Sequence, residues 1–309
     1  MSTTDQQTTL VPPRPGIGPE RADPARGRRL SGAWLTLRRI PPSATIGLLG
    51  VCFYLFLALC AQWIAPYGVA EVVGSVWEPP SAQFWLGTDN LGRDLLSRLI
   101  WGAQTTILIA AAATFLSFVL GVLLGFLAAA LLGLTDQILS RLNDLLMAIP
   151  TLIFALVVLS VLPAELYILI LVMAVLDATR VFRLSRSVAA DIAVMDFVEA
   201  ARLRGEGWGW IIFREILPNA LSPLLAELGL RFAFAVLFLS SLSFLGLGIQ
   251  PPDADWGSMV KENKDGIVFG IAAALIPGVA IATLAISVNL VVDWILTRTA
   301  SLKGGRGDA

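Results

Sequence analysis

Six stretches of this chain are apolar for long enough to cross a bilayer, and nothing else in the sequence restricts its fold so sharply. At about 1.5 Å of rise per residue, a helix needs roughly 20 residues to cross the hydrocarbon. The stretches lie near Ala44–Ala65, Thr105–Leu132, Leu145–Leu162, Leu166–Ala178, Leu221–Leu245 and Ile267–Ile295. The fourth is interrupted by Asp177, Arg180 and Arg183 unless its helix runs on past the lipid boundary. Composition agrees: 56% hydrophobic residues, only 15% charged residues and a mean hydropathy of +0.77 are not what a water-soluble domain carries. The expected fold is an all-α integral membrane protein with six transmembrane helices.

Basic residues set the expected orientation. Seven arginines precede Ala44 (14, 21, 26, 28, 29, 38 and 39) and six lie from Arg180 to Arg214; with Arg141, Arg298, Lys303 and Arg306, that side holds seventeen. Arg93, Arg98, Lys261 and Lys264 make four on the other side, and Arg231 falls inside a span. Because positively charged connections stay in the cytoplasm, both termini are expected there. All nine tryptophans are expected at span ends or in connections, where the ring favours the headgroup layer. The polar, proline-rich residues 1–25 read as a disordered tail. No signal peptide is expected, since the first apolar stretch is too long, lies far from the start and has no small-residue cleavage site after it. Residues 26–40 suit either a basic interfacial helix or a solvated positive flank. Cys52 and Cys60 share one expected helix, roughly 12 Å apart along its axis, too far for a bridge.

Absences narrow the chemistry. The chain has no histidine, which removes HExxH zinc sites, Ser-His-Asp triads and histidine proton relays. Its three lysines are followed by Glu262, Asp265 and Gly304, so no GxxxxGK[ST] phosphate loop exists. If ATP drives this protein, another chain must bind it.

Between the fourth and fifth stretches, on the positive side, runs VMDFVEAARLRGEGWGWIIFREILPNA (194–220). A short helix is expected from Val194 to Arg204, because Phe197, Ala200, Ala201 and Arg204 recur at helical spacing without a proline. Gly205 should end it in the left-handed conformation, with Arg202 and Arg204 at the negative end of the helix dipole. The two alanines would let a partner backbone approach closely. An ordinary amphipathic loop helix is the plain alternative, but it leaves the spacing of Glu199-Ala200-Ala201, Gly205 and Leu217-Pro218-Asn219 unexplained.

That segment resembles the cytoplasmic loop by which type I ABC importer permeases dock onto their ATPase subunits. LGTDNLGRDLLSRLIWGA (86–103) is similar to the segment ahead of the second span in permeases of the dipeptide, oligopeptide and nickel importer family, its "C" subunit in particular. SFLGLGIQPPDADWGSM (243–259) resembles the family's periplasmic connection before the last span, and LRRIPPSATIGLLG (37–50) with IAPY (64–67) its first-span region. The likeness covers about Leu37 to Thr297. It departs at Glu215, where many type I permeases are aliphatic, at Gln104, where arginine is common, and at Asp177, where tryptophan and proline are frequent.

The resemblance implies a type I ABC importer permease: a five-helix core (105–297) with a coupling loop (185–219), preceded by a first helix and periplasmic lid (44–104), with cytoplasmic tails at 1–43 and 298–309. Phe197, Glu199, Ala200, Ala201, Arg202 and Gly205 would couple to the ATPase. One such chain supplies half of a passage. A second homologous permease, two ABC ATPase subunits carrying ATP and magnesium, and a periplasmic solute-binding protein are the implied partners, in a bacterial inner membrane. No cofactor, metal site or nucleic acid is expected on this chain, and hydrolysis would occur on the separate subunits. Dipeptides or oligopeptides are the expected cargo, with nickel chelates, glutathione or opine-like compounds as alternatives. An ion-coupled secondary transporter is the rival class; it would need inverted repeats, interrupted helices and a buried acid at mid-membrane. No repeat is evident, and the acids cluster near one face. A membrane enzyme lacks a catalytic group here, and a scaffold would leave the docking spacing without purpose.

The remaining polar positions carry local expectations. Glu227 and Arg231 are one helical turn apart and can neutralise each other; either they form an internal pair or partner contact, or Arg231 lines the passage and meets a peptide carboxylate. Asp177, Asn289 and Asp293 are expected near cytoplasmic ends, in loop contacts or snorkelling. Asp89, Arg93 and Asp94 either staple the lid through ion pairs or touch the substrate-delivering protein. Gly121 and Gly125 form a GxxxG ridge suited to close helix packing. Pro251-Pro252 should break the fifth helix and fix an extended turn.

Overall fold

The computed structural model describes residues 41–131 and 133–304. The expected disordered tail, the alternatives for residues 26–40 and the last five residues lie outside them. Among the described residues the fold is all helical, apart from two isolated antiparallel bridges, Val72 with Arg93 and Thr88 with Asp94.

Helix α1 (Pro42–Leu59) carries proline at its first position, where the missing N–H has no intrahelical partner to lose. It stops at Cys60 and continues as a single turn, α2 (Ala61–Ile64), so the expected stretch to Ala65 is broken near its end. Both cysteines are free. Residues 65–94, the expected lid, contain no helix and are held by the two bridges. Helix α3 (Leu95–Leu131) follows and begins ten residues before the expected Thr105. Asp94 caps it, its Oδ2 accepting from the Ser97 backbone N–H at 2.8 Å and the Ser97 hydroxyl at 2.6 Å. Gln104 donates to the Ala58 carbonyl at 3.0 Å and ties α3 to α1.

The expected third span, Leu145–Leu162, is not one helix. Helix α4 (Gly133–Ala148) and helix α5 (Thr151–Val161) meet at 86° across Ile149-Pro150. The proline ring disfavours helical backbone in the residue before it and removes a donor, so the apolar run turns instead of continuing. With 11 residues, α5 covers only roughly 16 Å. Helix α6 (Leu166–Ala193) contains the fourth expected span and continues well past it. Arg186 of α6 holds Asp136 of α4 in a two-pronged contact, its Nε donating to Oδ1 and its Nη2 to Oδ2.

After α6 come α7 (Asp196–Leu203), α8 (Trp208–Ile211), a π-helical turn (Ile212–Ile216) and α9 (Leu217–Leu245), the last three forming one continuous helical run. Gly246, left-handed at φ +93°, ends α9 five residues before Pro251, so this glycine and not the Pro-Pro pair terminates the fifth span. A short helix, α10 (Trp256–Asn263), is opened by a capping box on Asp255. Burial pushes the Asp255 carboxyl above the ordinary carboxylate range, against the hydrogen bonds from Ser258 and Gly257 that favour its charged form. Two 3₁₀ turns (Lys264–Phe269, Ala272–Ala274) lead to α11 (Leu275–Gly304), which starts later than the expected Ile267.

Among the described residues, four helical stretches are long and apolar enough to cross a membrane: Pro42–Leu59, Leu95–Leu131, Trp208–Leu245 and Ala272–Arg298. The bent α4–α5 pair, taken as one span, makes a fifth. Helices α3 and α6 pack along most of their length. The GxxxG ridge makes that possible, since a Cβ on Gly121 would stand 2.6 Å from the Val181 Cβ and one on Gly125 2.8 Å from the Phe182 carbonyl. Against expectation, Trp256 is fully buried in the protein core, donating from its indole to the Leu99 carbonyl at 3.0 Å, and so does not sit among lipid headgroups.

Candidate functional site

At the lid, burial decides between the two expectations. Asp89 is 0%, Arg93 5% and Asp94 3% exposed, so none of the three is available to touch another protein. Asp89 Oδ2 accepts from Arg93 Nε at 2.7 Å and Arg98 Nη1 at 2.6 Å, while Glu262 of α10 accepts from Arg93 Nη2 at 2.7 Å and Arg98 Nη1 at 2.6 Å. Asp94 is the cap of α3. The expected contact role is corrected to an internal staple that fastens the lid to α3 and α10. Sequence reasoning missed Arg98 and Glu262: Asp89 and Asp94 already balance Arg93 and Arg98 locally, so nothing in the segment signals a distant acid. The lid turns outward Val72, Val76, Trp85 and Leu91, interspersed with Glu71, Ser75, Ser81 and Gln83.

At the opposite end of α6, the 194–220 segment folds as a capped rod. Gly205 takes φ +83° with open space around it. The N–H of Gly205 donates to the Arg202 carbonyl at 2.9 Å and that of Glu206 to the Ala201 carbonyl at 3.2 Å, the paired bonds of a Schellman cap. Arg202 and Arg204 lie over the rings of Trp208 and Trp210, at 4.5 and 5.7 Å, which fixes α7 against the start of the next helical run. Val198 and Ala201 are fully buried in a small core with Ile192, Ile211 and Ile216. Ala201 is therefore spent on the chain's own packing, and only Ala200 of the alanine pair faces outward, beside Phe197, Glu199, Arg202 and Leu203. This corrects the expectation that both alanines meet a partner.

Within the spans, Glu227 and Arg231 of α9 pair at 2.7 Å. The pair is not isolated. Arg231 Nη1 also reaches Asp177 Oδ1 of α6 at 3.4 Å, Arg180 Nη1 lies 4.0 Å from the same oxygen, and the Ser117 hydroxyl of α3 donates to Asp177 Oδ2 at 3.3 Å. Asp177 is thus drawn into an interhelical cluster, not placed in a loop contact as expected. Two acids and two bases leave the cluster neutral, which is what hydrocarbon surroundings demand. Asn289 and Asp293 stand exposed on α11.

Residues 121–301 match the family described as binding-protein-dependent transport system inner membrane component. The chain is 36% identical over 256 residues to the di/tripeptide transport system permease protein DppC of Pseudomonas aeruginosa, covering 81% of this chain and 84% of that one. A putative peptide transport system permease protein of Brucella suis is 38% identical over 264 residues, 84% of this chain and 89% of its own length. The glutathione transport system permease protein GsiD of Escherichia coli is 33% identical over 264 residues, 85% and 87% of the two chains. More than half of the sequence lies inside the family match and these relatives align along most of their length. The chain therefore belongs to the binding-protein-dependent transport system inner membrane components and is a multi-pass, non-catalytic permease subunit of a bacterial ABC importer.

Proposed function

We propose that this permease forms half of the passage of an ATP-driven importer for short peptides, completed by a second homologous permease. Both termini face the cytoplasm, and six crossings are made by α1, α3, the α4–α5 pair, α6, α9 and α11. Two ABC ATPase subunits carry ATP and magnesium and perform the hydrolysis, this chain binds no cofactor, and a periplasmic binding protein delivers the cargo at the lid end. The peptide assignment draws on the relatives, named for di/tripeptide, peptide and glutathione transport. Glutathione is itself a tripeptide.

The observation that carries the coupling reading is the outward face of α7: Phe197, Glu199, Ala200 and Arg202 stand on a rod whose other face is locked into the chain. Phe197, Glu199, Ala200 and Arg202 contact the ATPase, Ala201 seats the rod, and Gly205 fixes its end. A displacement of α7 then passes to α6 on one side and to the run from Trp208 to Leu245 on the other. The test is reconstitution of the assembled complex with ATP and a labelled dipeptide. Gly205→Val, which forces a β-branched residue to φ +83°, is expected to leave ATP hydrolysis running while uptake falls at least tenfold. Normal uptake by that variant would refute the docking role. Uptake by this chain alone on an ion gradient would refute the importer assignment.

A further inference from the structure

Two guanidiniums from different helices converge on one carboxylate oxygen inside the bundle. Arg180 of α6 and Arg231 of α9 reach Asp177 Oδ1 at 4.0 and 3.4 Å, and both lie over the single Phe234 ring, at 4.6 and 5.7 Å. Arg231 already has Glu227 at 2.7 Å, so Asp177 is not needed to neutralise it. The hold of Asp177 is also loose, since a well-made guanidinium–carboxylate contact is about 2.7–2.9 Å. Polar capacity is left over: Arg180 Nη1 and the hydroxyl of Thr114, itself 3% exposed, are buried without a hydrogen-bond partner. Both border the same small cavity, together with Asp177, Thr151 and Phe234. That space holds about one water molecule, so a larger anion enters only if Asp177 withdraws.

We infer that Arg180 and Arg231 form a binding site for the terminal carboxylate of the transported peptide, and that Asp177 is an internal stand-in occupying the site between loads. The inference rests on the peptide-importer reading. An incoming carboxylate takes the two arginines and the free donors of Arg180 and Thr114; the displaced Asp177 swings clear, and Glu227 meets the peptide ammonium. A zwitterion leaves the cluster's net charge unchanged. A C-terminally amidated peptide adds one uncompensated positive charge in a setting where charge is costly. Selection at this point is for a free carboxylate.

The experiment compares uptake of a free-acid dipeptide and its C-terminal amide by the assembled, ATP-driven complex, with one binding protein throughout, so that any change in their ratio arises in this chain. Arg180→Gln is expected to lower uptake of the free acid about tenfold and to leave the amide nearly unchanged, the effect of losing one charge-assisted fork. Asp177→Asn is expected to lower the KM for the free acid, because its internal competitor is gone. Equal losses for both peptides in Arg180→Gln, or an unchanged or higher KM in Asp177→Asn, would overturn the site and leave a structural ion cluster. If Arg180→Gln does not assemble, Arg180→Lys, which keeps the charge without the fork, must show the same selective loss at smaller amplitude, and an equal loss for both peptides there overturns the site as well. A wild-type complex that imports neither peptide with ATP would overturn the importer reading and this site with it.

Discussion

Truncating Asp89 to alanine tests whether the lid is held by its buried charges. Asp89 accepts four hydrogen bonds: from the backbone of Leu91 and Arg93 at 2.8 and 3.0 Å, and from the side chains of Arg93 and Arg98 at 2.7 and 2.6 Å. Its removal leaves Arg98, 1% exposed, with Glu262 alone, while Arg98 Nε and Nη2 already lack partners. Taking one member from a buried ion pair costs about 3–5 kcal/mol, against at most about 1 kcal/mol for a solvated pair. Glu262 remains, so the low end applies, about 3 kcal/mol, or roughly two orders of magnitude in the population of the opened lid. Amide hydrogen exchange reads this directly. The N–H groups of Asp89 and Leu95, bonded to the Arg93 and Gly87 carbonyls at 2.9 and 3.0 Å, should exchange about a hundredfold faster in Asp89→Ala, with amides of α11 unaffected. Acceleration below about threefold would refute the argument and place the lid's stability in its apolar contacts.

Two further substitutions probe the bundle and the rod. Gly125→Val sets side-chain atoms against the Phe182 carbonyl and the Ser185 Cβ, each 2.8 Å from an added Cβ, so α3 and α6 must separate; the folded yield in detergent should drop several-fold, whereas Gly278→Ala, with open space around it, should express normally. Ala201→Leu should destabilise the loop through overpacking by about 1–3 kcal/mol, seen as faster proteolysis around residues 194–207, while Ala200→Leu should leave proteolysis unchanged and weaken co-purification of the ATPase subunits. Equal behaviour of the two alanine variants would contradict the assignment of one inward and one outward face.

The long apolar runs made α1, α3, α9 and α11 readable, because hydrophobic length is a local property that lipid enforces segment by segment. Gly205 and its cap were readable for a similar reason: left-handed backbone after a short helical pattern needs glycine whatever surrounds it. The misreadings share a cause of the opposite kind. Arg98 sits inside a helix because Asp89 and, 164 residues away, Glu262 neutralise it, and Asp177 is held by an arginine 54 residues on. No local pattern announces either. The third apolar run reads as one straight helix because its hydropathy continues through Ile149-Pro150, although the proline carries the turning instruction. Ala200 and Ala201 look alike in sequence, and only the packing of Val198, Ile211 and Ile216 tells them apart.

The π-helical turn at Ile212–Ile216 sets the angular phase of everything beyond it. Such a turn accommodates one residue more than an α-helix would, and each residue advances the helix by about 100°. Glu227 and Arg231 therefore point where they do because of a widening more than ten residues upstream, next to the loop that the motor would grip. Were that turn to tighten into regular α-helix during a cycle, the whole far half of α9 would swivel like a key in a lock and carry the arginine out of line with Asp177.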